Sequence, residues 1–110
     1  MPRVSVAGTV GGADPAAVFG ALGDFESYAA HTEAVREVRV ARDASGTATS
    51  QWSVSFRDGI LCWTERDTID ARGRSIAFEQ LDGDFEHFAG TWRVLQAGDE
   101  VTVAFDAVSA

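Results

Sequence analysis

From Val35 to Ala110 the chain repeats one pattern: a short segment rich in Val, Ile, Thr, Phe or Trp, then a turn signal, then another such segment. The turn signals are Ala44-Ser45-Gly46, Arg57-Asp58-Gly59, Ala71-Arg72-Gly73, Asp82-Gly83 and Ala97-Gly98-Asp99. Tight turns join only antiparallel neighbours, so the pattern predicts an antiparallel meander. The expected strands are Arg36–Arg42, Ala48–Phe56, Ile60–Ile69, Ser75–Leu81, Phe85–Leu95 and Glu100–Val108, with an earlier one over Arg3–Val10.

Between the first strand and the meander lies the only helical signal. Asp14-Pro15 reads as an N-cap followed by proline at the first helical position. Val18, Phe19 and Leu22 then form an apolar stripe, and Gly23 ends the helix. A second short helical piece is expected from Phe25 to His31. Helices this short need packing against the sheet to persist. The expected order is one strand, two short helices and six strands, an α+β arrangement. Alternation puts large residues on both faces of this sheet, and two short helices cannot cover both.

At 110 residues the chain is expected to form one domain over 1–110, burying roughly two-thirds of the surface its unfolded chain exposes. No apolar run approaches the ~18 residues of a membrane span, and no signal-peptide pattern opens the chain, so a cytoplasmic protein is expected. The net charge of −8 argues against a nucleic-acid partner. All nine basic residues are Arg, which excludes Schiff-base chemistry by a lysine. The single cysteine, Cys62, cannot form an internal disulfide and reads as a small buried side chain. His31 and His87 lack a second ligand at metal-binding spacing, and Asp82, Asp84 and Glu86 read as a solvated turn; neither a metal nor a cofactor is expected.

Four stretches carry a family resemblance across nearly the whole chain: Asp24-Phe25-Glu26-Ser27-Tyr28, Trp63-Thr64-Glu65-Arg66-Asp67, Phe78-Glu79-Gln80 and Gly90-Thr91-Trp92-Arg93. With the element order, they resemble the SRPBCC superfamily, the START-like, helix-grip domains that include polyketide aromatase/cyclases. The resemblance implies a curved antiparallel sheet over an elongated apolar cavity in which a poly-keto chain is folded, cyclised and dehydrated. It implies an acyl carrier protein as a partner, for which Arg36, Arg39 and Arg42 are the candidate basic patch. By the same resemblance Arg66 corresponds to the arginine that stabilises an enolate, and Thr64 to a serine on the same face. Tyr28, Trp52, Phe78 and Trp92 are then candidate ligand-binding residues. The family's chains continue into a long C-terminal helix, whereas this one stops at Val108-Ser109-Ala110, so the expected fold lacks that helix.

The chemistry is consistent with that assignment: a guanidinium stays charged in an apolar pocket and suits a developing oxyanion. The plain alternatives stay open beside it. Arg66 sits in Glu65-Arg66-Asp67, a context suited to a cross-strand ion pair on a solvated face. The aromatic candidates are equally good core residues. Three functions follow: a polyketide cyclase or aromatase, a non-catalytic binder of a lipid, quinone or other hydrophobic molecule, and a domain that oligomerises through an uncovered apolar face.

Overall fold

The structure is a computed structural model that describes residues 2–43 and 45–110. Asp14 caps the first helix as expected, its carboxylate accepting the Ala16 N–H at 3.2 Å with Pro15 at the first helical position. That helix, α1, spans Pro15–Gly23; a 3₁₀ turn over Phe25–Ser27 and a four-residue α2 over Tyr28–His31 follow.

The strands are β1 (Arg3–Gly11), β2 (Val35–Arg42), β3 (Thr47–Phe56), β4 (Gly59–Asp70), β5 (Ser75–Gly83), β6 (Phe88–Ala97) and β7 (Glu100–Ser109). They form one curved seven-stranded antiparallel sheet in the order β1-β7-β6-β5-β4-β3-β2. Strand β1 pairs with β7, so the helical segment must carry the chain from one edge of the sheet to the other. It crosses on the concave side, where α1 approaches β6 while the 3₁₀ turn and α2 pack on β2.

Of Ala44-Ser45-Gly46, Ala44 lies outside the described residues; Gly46 takes a φ of 83° that favours glycine. The turn expected at Asp82-Gly83 sits later, because both residues continue β5, opposite Thr64 and Trp63 of the long β4. The β5–β6 connection is held instead by Gln80, whose amide donates to the Phe85 carbonyl at 2.7 Å.

The register corrects the expectation that both faces carry large residues. Trp52 pairs with Trp63, Asp67 with Phe78, Ile76 with Trp92, and Trp92 with Phe105, and residues directly opposite share a face. The large side chains therefore converge on the concave face. There Phe25, Ala48, Ile76, Phe78, Val94, Val101 and Ala107 form the buried apolar core. The convex face carries Gln51, Ser53, Thr64, Arg66, Glu79, Arg93 and Asp106, as expected where one face of an antiparallel sheet meets water.

Candidate functional site

A cavity of about 290 Å³ opens on the concave face. Phe25 and Tyr28 border it from the helical segment, Trp52 and Val54 from β3, and Trp63, Glu65 and Asp67 from β4. Ile76, Phe78, Phe88, Trp92 and Phe105 complete it from β5, β6 and β7. Its aromatic rings form a connected wall. Phe25 and Tyr28 meet Trp52 edge-on at 5.7 and 5.5 Å, and Trp52 stacks on Trp63 at 6.0 Å. The wall continues through Phe88 and Phe78 to Phe105, which packs on Trp92 with centroids 4.5 Å apart. A second apolar hollow, bordered by Val18, Ala21, Leu22 and Val103 under α1, shares Tyr28 and Trp92 with the first.

Two carboxyl groups stand inside this apolar wall. Glu65 and Asp67, two residues apart on β4, point to the same side, with 6% and 0% of their surface exposed. Their neighbours are specific. Trp63 Nε1 donates to Glu65 Oε1 at 2.7 Å, and Ser50 Oγ donates to Asp67 Oδ2 at 2.6 Å. Trp52 Nε1 in turn donates to Ser50 Oγ at 2.8 Å. Asp67 Oδ1 is buried and has no donor among the described residues.

Burial, with the neighbouring Asp67 adding to it, pushes the Glu65 carboxyl up to about 9; the Trp63 N–H opposes this. Burial also raises Asp67, while its neighbour Glu65, the Ser50 hydroxyl and the Arg42 guanidinium pull it back. Burial thus favours the protonated form of both carboxyls, most strongly at Glu65. Tyr28 stays neutral: burial, Glu65, Asp24 and Asp67 together raise its hydroxyl to about 12, and it donates to the Leu22 carbonyl.

The structure gathers four of the sequence-derived candidates, Tyr28, Trp52, Phe78 and Trp92, at the cavity. Arg66 and Thr64 are not among its lining, and their expected position on the cavity face is corrected. Both stand on the convex face, Arg66 exposed opposite Thr49 and Glu79, and Thr64 in a shallow hollow with Gln51, Ser53 and Asp82. That hollow, at about 360 Å³, is slightly larger, but its polar, solvent-facing lining gives it neither desolvation nor an apolar wall. Cys62, expected to be buried, is exposed on the same face. Of the three β2 arginines, Arg39 pairs with Glu37 at 2.6 Å and Arg42 with Glu26 at 2.8 Å, so acids already balance two of them.

Sequence reasoning missed Glu65 and Asp67. The signal was present in the two-residue turn Arg57-Asp58, which sets Phe56 opposite Gly59 and so Trp52 opposite Trp63. Everything in step with Trp63 on β4 then shares the aromatic face.

Residues 12–109 match the family model described as polyketide cyclase/dehydrase and lipid transport. The chain belongs to this family. Its fold agrees with that of the protein TTHA0849 from Thermus thermophilus, at a TM-score of 0.91 and 22% identity over 98% of this chain and 73% of that one. The Zhui aromatase/cyclase from a Streptomyces species superposes with a TM-score of 0.79 at 24% identity, covering 99% of this chain and 70% of that one. A START superfamily protein from Mycobacterium smegmatis gives a TM-score of 0.85 at 18% identity, over 98% and 76% of the two chains. No curated protein matches the chain. Among the described residues, no helix is long and apolar enough to cross a membrane.

Proposed function

We propose that this family member binds an uncharged, largely apolar small molecule of the poly-keto type in the concave cavity and promotes its cyclisation or dehydration. The observation that carries the reading is the pairing, in one cavity, of a continuous aromatic wall with two buried carboxyl groups. Apolar walls with a few convergent polar groups are the usual make-up of small-molecule sites. Tyr28, Trp52, Phe78 and Trp92 are assigned to ligand contact. Arg66 is given no part, because an exposed guanidinium on the other face cannot reach the bound molecule.

Titration with the neutral aromatic ketone 2-acetonaphthone tests this, with tryptophan fluorescence as the readout. Saturable quenching is expected, with affinity reduced about tenfold, about 1.4 kcal/mol, by Trp92→Leu. Absence of saturable binding would reject the cavity as a ligand site.

A second reading, carriage of an apolar ligand without chemistry, is favoured by one further feature. Val4 and Val6 on β1 pair with Ala107 and Phe105, extending the concave apolar surface while remaining 52% and 59% exposed. Ligand binding with no turnover on any keto or hydroxy-keto compound would select this reading.

A further inference from the structure

We propose that the outer edge of β1 is a dimer interface, at which β1 pairs antiparallel with β1 of a second copy of this chain about a two-fold axis through Ala7. The inference is independent of what the concave cavity holds. Its basis is the direction of the backbone groups. The Ser109 N–H donates to the Pro2 carbonyl and the Gly12 N–H to the Asp99 carbonyl, continuing the β1–β7 ladder at its two ends. The even-numbered residues of β1 therefore turn their backbone groups to β7. The odd-numbered ones, Arg3, Ser5, Ala7, Thr9 and Gly11, turn theirs to solvent, where no described strand pairs with them.

Such an edge recruits another strand unless charge, proline, a bulge or a covering element blocks it. The opposite edge of the sheet, β2, is blocked in three ways. It carries Arg36, Glu37, Arg39 and Arg42, its register shifts between Val35 and Glu37, and the 3₁₀ turn and α2 pack on it. Strand β1 pairs without a register shift, is exposed along its whole length and holds one charge, Arg3.

The occupant that fits is a second copy, because the strand is self-complementary. With Ala7 opposite Ala7 of the partner subunit, Arg3 meets Gly11 of the partner subunit and Ser5 meets Thr9 of the partner subunit. Every outward N–H and C=O of both strands then has a partner, which no other register achieves. On the concave face Val4 lies against Val10 of the partner subunit, in the closer-spaced, non-hydrogen-bonded positions. Val4, Val6 and Val10, now 52%, 59% and 50% exposed, become the seam where the two concave apolar surfaces join.

Charge selects the same register. Two chains of net charge −8 repel one another over most of their surfaces, but β1 holds no acid. Gly11 is paired within its own chain with Glu100, which is exposed and has no ion pair among the described residues. Arg3 therefore reaches across the bare Gly11 of the partner subunit to Glu100 of the partner subunit, and the two-fold axis makes the contact twice. Arg3 gives up only an exposed contact with Asp106 at 3.4 Å, and Asp106 keeps the Ser5 hydroxyl as a donor.

The test uses the full chain. An interface one strand wide is small, so sedimentation velocity is expected to show a monomer passing to a dimer across the micromolar range. Hydrogen exchange at the Ala7 and Thr9 amides should slow over the same range, while the β2 edge amides stay unchanged. Ala7→Glu sets two carboxylates opposite each other at the axis and should weaken dimerisation about tenfold or more, with the circular dichroism of the fold retained. Disulfide trapping in a Cys62→Ser background reads the register. Ala7→Cys should cross-link two chains, because opposed Cα atoms of that pair lie about 5.5 Å apart. Ser5→Cys should not, because its own copy is about 14 Å away along the strand. A wild-type chain that stays monomeric at high micromolar concentration would overturn the inference, as would β1 amides that slow only when an unrelated extended peptide is added. A dimer indifferent to Ala7→Glu, or cross-linked as readily through Ser5→Cys as through Ala7→Cys, would place the contact elsewhere and overturn it too.

Discussion

Trp52 and Trp63 face each other across the β3–β4 ladder with ring centroids 6.0 Å apart and planes 6° from parallel, and both turn their N–H groups towards the acid pair. Trp63 donates directly to Glu65, and Trp52 reaches Asp67 through Ser50. The same two side chains therefore form the apolar wall and set the polarity of the groups inside it. Trp63→Phe separates those duties, keeping a ring but removing the donor. Because the Trp63 N–H is what opposes the rise of Glu65, the pair's upper titration should move higher, on the order of one pH unit. Carboxyl ¹³C chemical shifts measured against pH check this; an unchanged titration would mean that the indole N–H does not stabilise the carboxylate.

The raised carboxyl also makes stability depend on pH. The folded state keeps a proton on Glu65 up to about 9, whereas the unfolded chain loses it near the ordinary glutamate value of ~4.3. Between those limits the folded state binds more protons, so stability is fully present below the unfolded value and falls as pH rises, by at most about 1.4 kcal/mol per pH unit. The expected result is a lower urea midpoint at pH 8.5 than at pH 6. Glu65→Gln should flatten that difference, because an amide has no proton to lose. A wild-type midpoint that rises over the same range would contradict the assignment.

The strand and turn chemistry made most of the fold legible. Asp14-Pro15 gave the helix start, and strand propensity with punctuating turns gave six strands to within a few residues. What one strand alone cannot reveal is which of its two faces turns inward. Ile60, Cys62, Thr64, Arg66 and Thr68 alternate with Leu61, Trp63, Glu65, Asp67 and Ile69, and both sets mix apolar with charged residues. A charged pair is usually assigned to water, and at Glu65 and Asp67 that habit fails. Their desolvation is offset in part by hydrogen bonds from Trp63 and Ser50, neither of which a residue-type preference records. Only the register carried through the Arg57-Asp58 turn decides the question. The β5–β6 turn was missed for a related reason: Asp82-Gly83 has the composition of a turn, yet the length of β4 gives both residues a partner.

Ser50 is fully buried and serves two partners, accepting from Trp52 and donating to Asp67. Ser50→Ala leaves a buried indole N–H without an acceptor and removes the only donor to Asp67 Oδ2 among the described hydrogen bonds. A loss of about 1–3 kcal/mol in unfolding free energy is expected at neutral pH. The loss should shrink at lower pH, where Asp67 is protonated and needs the donor less. Equilibrium urea unfolding at two pH values measures both effects, and a pH-independent loss would indicate that only the Trp52 bond matters.

Arg66 and Thr64 supply the contrasting case. Arg66 is exposed on the convex face, so Arg66→Ala should change stability by no more than about 0.5 kcal/mol. Binding of 2-acetonaphthone should be unchanged within about twofold by Arg66→Ala and by Thr64→Val, since neither side chain borders the cavity. A tenfold loss of binding in Arg66→Ala would mean that the ligand does not occupy the concave face.

Gly90 pairs with Phe78 on the concave face and with Ala107 on the other flank of β6, where three strands meet beneath the aromatic wall. A Cβ at this position would press on the Asp106 carbonyl oxygen, and would lie 2.8 Å from Phe78 Cζ and 2.9 Å from Ala107 Cα. Two of those three contacts are backbone atoms of a paired strand, which cannot retreat without breaking the β6–β7 ladder. The Phe78 ring is the part able to move, and its stacked partner Phe105 limits that movement to the cavity side. Gly90→Ala should therefore destabilise the fold by about 1–3 kcal/mol and also narrow the binding site. Urea unfolding reads the first effect and 2-acetonaphthone titration the second. Pairing it with Phe78→Leu, which gives the new methyl room, should recover part of the stability. Failure of that rescue would place the strain in the β6–β7 backbone rather than against the ring.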